Sequence, residues 1–139
     1  MKYLPIILTL FWALTASARN HQRFNGSIIV HSMASCGNLI EGMMLEDGYG
    51  LMKICLAPNK IGDSYKASLQ FSCNKAHGFT AGLIKIDRSG IMYKQCLRVS
   101  SLDSYYEISN RFKCAKGYRK SKVQYTESSG LITTSCSRR

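Results

Sequence analysis

Glu107 and Arg111 lie four residues apart in the stretch SYYEISNRFKC, residues 104–114. A carboxylate beside a guanidinium suits phosphodiester chemistry. The carboxylate takes a proton, and the cation stabilises the crowded phosphate. On an extended strand, two such positions share a face but stand about 13 Å apart, so they do not touch. A neighbouring strand would have to bring Lys122 or Lys113 between them. The plainer reading is a solvated sheet face with cross-strand ion pairs, and residue types alone favour it. His77, in NKAHGFTAG, is a second acid or base by type, because imidazole titrates near neutrality. An ordinary loop histidine is the plainer reading there too. His31, within SIIVHSM, alternates with apolar residues and reads as structural, and His21 lies near the start of the mature chain.

A stronger chemical signal follows directly. The run RFKCAKGYRKSK, residues 111–122, carries Arg111, Lys113, Lys116, Arg119, Lys120 and Lys122 and no acid. Phe112 and Tyr118 are interleaved with them. Cations for phosphates and an aromatic for bases are what single-stranded RNA binding requires. Tyr118 is the expected stacking residue. A charged hairpin connection is the alternative.

The six cysteines are Cys36, Cys55, Cys73, Cys96, Cys114 and Cys136. No two have the close spacing of a zinc site, so neither metal nor other cofactor is expected. An even number in an exported chain implies disulfides, with fifteen pairings open.

Export is suggested by the first 18 residues. Lys2 precedes an apolar run from Leu4 to Leu14, and Ala16-Ser17-Ala18 has the small residues of a cleavage site. The run is too short to span a bilayer well, and no stable membrane insertion is expected. Residues 19–139 then form one secreted, disulfide-rich domain, expected to be monomeric. Trp12 leaves with the leader. Asn25-Gly26-Ser27 is a glycosylation sequon. Of 19 Lys and Arg, only Lys2 falls in the leader, which leaves 18 against 8 acids, about +10. Such a charge favours an anionic partner, RNA or an acidic protein.

The elements that would position these residues are strands. Tyr65, Ala67, Leu69, Phe71 and Cys73 fall on one face at period two, as do Tyr106, Ile108, Asn110, Phe112 and Cys114. SYKASLQFSCNK (64–75) and YYEISNRFKCAK (105–116) align without a gap, pairing Tyr65 with Tyr106, Phe71 with Phe112, Cys73 with Cys114 and Lys75 with Lys116. SGIMYKQC (89–96) and SGLITTSC (129–136) align in turn, and GLMKIC (50–55) resembles a shortened copy. The chain thus reads as three units of one plan, each containing a hairpin around a Gly turn. They hold Cys36 with Cys55, Cys73 with Cys96, and Cys114 with Cys136. A true repeat would give a pseudo-threefold fold. Since only the first two segments match well, convergence of pattern is favoured over duplication. Residues 37–45, GNLIEGMML, predict a helix, with Leu39, Ile40, Met43 and Met44 on one side and Asn38 as cap. The expected class is α+β, a curved antiparallel sheet with this one short N-terminal helix.

SYYEIS followed by SKVQYTESSGLITTSC resembles the second half of the fungal guanyl-specific secreted ribonucleases. The resemblance implies a catalytic carboxylate at Glu107, a cation at Lys122, and the general-acid position at Thr134. His77 before Phe79 best matches an earlier histidine of that family. Thr134 has no proton to give at neutral pH, and Lys122 lacks the fork of an arginine. A ribonuclease-like frame without its acid is similar to the ribonuclease-like effectors of powdery mildew fungi. That likeness implies a secreted, non-catalytic, effector-type protein acting in virulence and binding RNA or a host protein. The alternatives are a weak secreted ribonuclease using Glu107 with His77, and a small cysteine-rich inhibitory or protein-binding module.

Overall fold

Only the first part of each period-two segment is strand, ending at Ser68 and Ser109; residues 69–73 and 110–114 are crossover, and the strands group into three small sheets. The computed structural model describes residues 23–24, 26–48 and 50–139. The leader with Trp12, and also His21 and Asn25 of the sequon, lie outside the described residues. In the first unit, β1 (Arg23–Phe24) pairs with β2 (Ser27–His31), followed by β3 (Ile40–Asp47) and β4 (Gly50–Leu56). The second has β5 (Ser64–Ser68), β6 (Phe79–Ile86) and β7 (Met92–Arg98). The third has β8 (Tyr105–Ser109), β9 (Tyr118–Lys120), β10 (Tyr125–Thr126) and β11 (Ile132–Arg138). In each unit the last strand lies in the middle, antiparallel to both others: β2-β4-β3, β5-β7-β6, and β8-β11 with β9 and β10 along β11's other edge.

The expected α+β class is therefore wrong. Among the described residues the only helical pieces are three-residue 3-10 turns, at Pro58–Lys60, Lys75–His77 and Val99–Ser101. The expected single curved sheet is three sheets, and most of the helix expected over 37–45 is strand β3. The cause is a bulge. Glu41 pairs with Cys55 and Met44 with Lys53, so β3 has one residue more than β4 at this point. An extra residue breaks period two, and apolar residues on both sides of the break then mimic a helical stripe. The second unit has the same bulge, between Ala81 and Ile84.

All three units share one disulfide plan, and the second and third repeat in further detail. The disulfides are Cys36–Cys55, Cys73–Cys96 and Cys114–Cys136, each tying the crossover that follows β2, β5 or β8 to the central strand of its unit. Tyr65 OH accepts the Asn74 N–H at 3.0 Å, and Tyr106 OH accepts the Ala115 N–H at 2.7 Å. Tyr65 meets Phe79 edge-on at 4.9 Å, as Tyr106 meets Tyr118 at 5.1 Å. Arg98 caps the Phe79 ring and Arg138 the Tyr118 ring. Partial matching in sequence thus hides close repetition in space. Tyr65 and Tyr106, the paired cysteines, and Arg98 and Arg138 are identical between the two units and make these contacts.

The units join in a row. Strand β3 lies against β5 and β6 against β8, and the first and third units share no comparable strand contact. This is an open array and not a threefold ring. The core of the second unit, Tyr65, Ala67, Cys73, Phe79 and Cys96, also takes Ile40 and Leu56 from the first. The core of the third, Tyr106, Ile108, Ala115, Tyr118 and Cys136, takes Leu97 from the second. A glycine makes room for each joining leucine. A Cβ on Gly42 would stand 3.1 Å from Leu56 Cδ1, and one on Gly82 would stand 2.8 Å from Leu97 Cδ1. Two lysines span the joints. Buried Lys53 reaches over Phe71 at 5.6 Å, and buried Lys94 over Phe112 at 5.5 Å.

Candidate functional site

Strand β8 alternates as expected. Glu107 is exposed and pairs with Ser135 of β11, while Ile108 is buried and pairs with Thr134. Partners across a ladder share a face. Glu107 and Thr134 therefore lie on opposite faces of the sheet. Thr134 is 1 % exposed and donates to the Ser121 or Val123 carbonyl, at 3.2 and 2.9 Å. Thr134 thus caps a loop inside the unit and is not directed at Glu107. The partner of Glu107 is the Tyr105 hydroxyl, at 3.3 Å. His77 lies in the second unit's crossover, where Nδ1 is 3.0 Å from Asn74 Oδ1. No hydrogen bond joins His77 to Glu107, so the two are not assembled as an acid and base. His31 is exposed and its Nδ1 accepts the Met33 N–H.

The cationic run divides in two. Arg111, Lys113 and Lys116 lie in the crossover after β8, Arg119 in β9 and Lys122 in the segment after it, and all five are exposed. Among the described residues the one ion pair is Lys53–Glu41, at 2.9 Å, so none of the five is neutralised by a carboxylate. Lys120 is different. Its ammonium donates to the Asn110 and Phe112 carbonyls at 2.6 and 2.8 Å and holds the crossover in place. Lys94 Nζ reaches the Leu69 carbonyl, the counterpart of Asn110, at 3.5 Å in the second unit. The same carbonyl is thus capped by a lysine from the central strand in one unit and from the neighbouring strand in the next. Burial holds the Lys94 ammonium below the ordinary lysine range.

Tyr118 is a correction. It is buried, its hydroxyl donates to the Asp103 carbonyl at 2.8 Å, and its ring is enclosed by Tyr106 and Arg138. No base can stack on it. Its place in the sequence, interleaved with cations, could not show that it falls on the inward row of β9. The exposed aromatics of this unit are Tyr105 and Tyr125. Desolvation, and then the Glu107 carboxylate and Tyr125, raise the Tyr105 phenol above its ordinary range. Tyr105 is opposite Ser137 and Tyr125 opposite Thr133, so the two rings share a face, four residues apart along β11. The period-two reading had put Tyr105 on the polar face with Glu107, and that was the available signal.

Sequence reasoning also missed Lys53 and Lys94. Their signal is Lys-x-Cys-Leu at 53–56 and again at 94–97. No cluster of three or more His, Cys, Asp and Glu residues able to hold a metal occurs among the described residues. No helix there is long and apolar enough to cross a membrane. Three disulfides in a small chain fit an extracellular protein. Compared with family models, curated proteins and solved structures, the chain matches none.

Proposed function

We propose that this protein is a secreted, non-catalytic binding module of the effector type, whose third unit grips the backbone of single-stranded RNA. The observation that supports this is the group Arg111, Lys113, Lys116, Arg119 and Lys122: five exposed cations within twelve residues, none in an ion pair. Cations already paired with carboxylates cannot release counterions from a nucleic acid, and these five can. Separation of Glu107 from both Thr134 and His77 favours binding over cleavage.

The test is fluorescence anisotropy with a labelled single-stranded oligoribonucleotide over a salt series. Affinity should fall steeply with salt. Replacing all five cations by Ser should flatten the log–log slope by about 3.5, at roughly 0.7 per phosphate contact on a single strand. Absent binding, or binding indifferent to salt, would remove RNA as the partner. An acidic protein captured equally well from nuclease-treated extract would then take its place.

A further inference from the structure

The outer row of the third unit departs from the repeat in a way that polarity alone does not explain. Tyr105, Ser137 and Arg119 are opposite one another across β8, β11 and β9. The corresponding row of the second unit is Ser64, Leu97 and Thr80. There, Leu97 packs into the following unit, and Thr80 lies beside the Tyr106 phenol. Ser137 and Arg119 in place of Leu and Thr make this row polar. A polar row gives no reason for the tyrosines. Tyr105 occupies the place of Ser64, and Tyr125 that of Lys85, yet the two rings are 52 % and 62 % exposed. In the second and third units the other rings, Tyr65, Phe71, Phe79, Tyr93, Tyr106, Phe112 and Tyr118, are all buried or half-buried. Large rings left in water at one end, beside an unpaired arginine, match the stacking platforms of single-strand binders.

We propose that Tyr105 and Tyr125 are the base-stacking residues of the interface, with Arg119 contacting the phosphate between or beside the stacked nucleotides. The proposal rests on the RNA-binding reading above. By strand spacing, Arg119 and Tyr105 are about 10 Å apart, within the reach of one or two nucleotides. Glu107 accepts the Tyr105 hydroxyl, so it restrains that ring and turns phosphates toward the Arg119 end. Stacking is tolerant of sequence, so the site takes single strands with little base preference.

The experiment compares an oligoribonucleotide with polyphosphate of equal charge. It uses the wild-type protein, Tyr105→Ala, Tyr125→Ala and Tyr105→Phe. The alanine variants should lose about ten-fold in oligonucleotide affinity each, with unchanged salt slope and unchanged polyphosphate binding. Tyr105→Phe should keep most of the affinity, since the ring remains. Tyrosine fluorescence of the wild type should be quenched by the oligonucleotide and not by polyphosphate. Equal binding of both polyanions, with alanine variants indistinguishable from wild type, overturns the stacking proposal and leaves backbone binding standing. Failure of the wild type to bind the oligonucleotide overturns both.

Discussion

At the scale of single residues, several side chains have roles the amino-acid type does not announce. Tyr65 and Tyr106 look like ordinary core aromatics, but each hydroxyl satisfies a crossover N–H. Tyr106→Phe strands the Ala115 amide, and we expect a loss of about 1–3 kcal/mol by denaturant unfolding. Burial raises both phenols above 10.0. A raised folded pKa means full stability below pH 10, lost as pH rises towards the folded value. The alkaline fall in stability should therefore flatten in Tyr65→Phe/Tyr106→Phe. Lys94 has the opposite sign. Its folded value is depressed, so it contributes a rise in stability as pH climbs through that value toward 10.5. Lys94→Met should remove that rise and be at least as stable as wild type at neutral pH. At Glu107, a binding role and a catalytic role predict opposite results. Glu107→Gln removes a negative charge from a cationic face, so polyanion affinity should rise modestly in the anisotropy assay. A catalytic base would instead show itself as lost RNA cleavage. The five exposed cations were legible in the sequence. The burial of Tyr118 and the engagement of Lys120 were not, because inward or outward facing on a three-residue strand depends on its partner.

At the scale of elements, alternation located β5 and β8 and the Gly turns located the hairpins. The helix expected over 37–45 failed at a bulge, which local pattern cannot distinguish from a helical stripe. Its glycine is nonetheless informative. Gly42 with Leu56, and Gly82 with Leu97, are matched pairs, and at the third unit's equivalent positions both members become serine, Ser121 and Ser137. Gly82→Ala places a methyl 2.8 Å from Leu97 Cδ1 and should cost about 1–3 kcal/mol through overpacking. Adding Leu97→Val should recover part of that loss. A double-mutant cycle on thermal unfolding measures the coupling, and strict additivity would show that the glycine serves some other need.

At the scale of the whole molecule, three units in a row give stability a position dependence. Among the described residues the second unit has a neighbour on each side and the first and third have one each, so opening should begin in the first and third. Cys73 is buried, whereas Cys36 and Cys114 are partly exposed. Graded reduction followed by alkylation and mass spectrometry should label Cys36–Cys55 and Cys114–Cys136 before Cys73–Cys96. Each bridge closes about twenty residues and contributes about 3 kcal/mol by loop entropy, so loss of one end bridge should unfold its unit first. The cysteine grouping was visible in the sequence, but the array was not. Strand-to-strand neighbours across units leave no periodic mark, and the joining leucines are single residues.

The polar end of the row has one more consequence. The difference between an end and a joint is written in three side chains: Arg119, Ser121 and Ser137 stand where the second unit has Thr80, Gly82 and Leu97. Arg119→Thr/Ser121→Gly/Ser137→Leu should rewrite that end as a socket. Fused to a further copy of residues 105–139, the rewritten chain gains a seat for a fourth unit, and a fused chain keeping the native three should leave the added copy tethered but undocked. The fold is in this sense a modular part whose length can be reset by editing its last face.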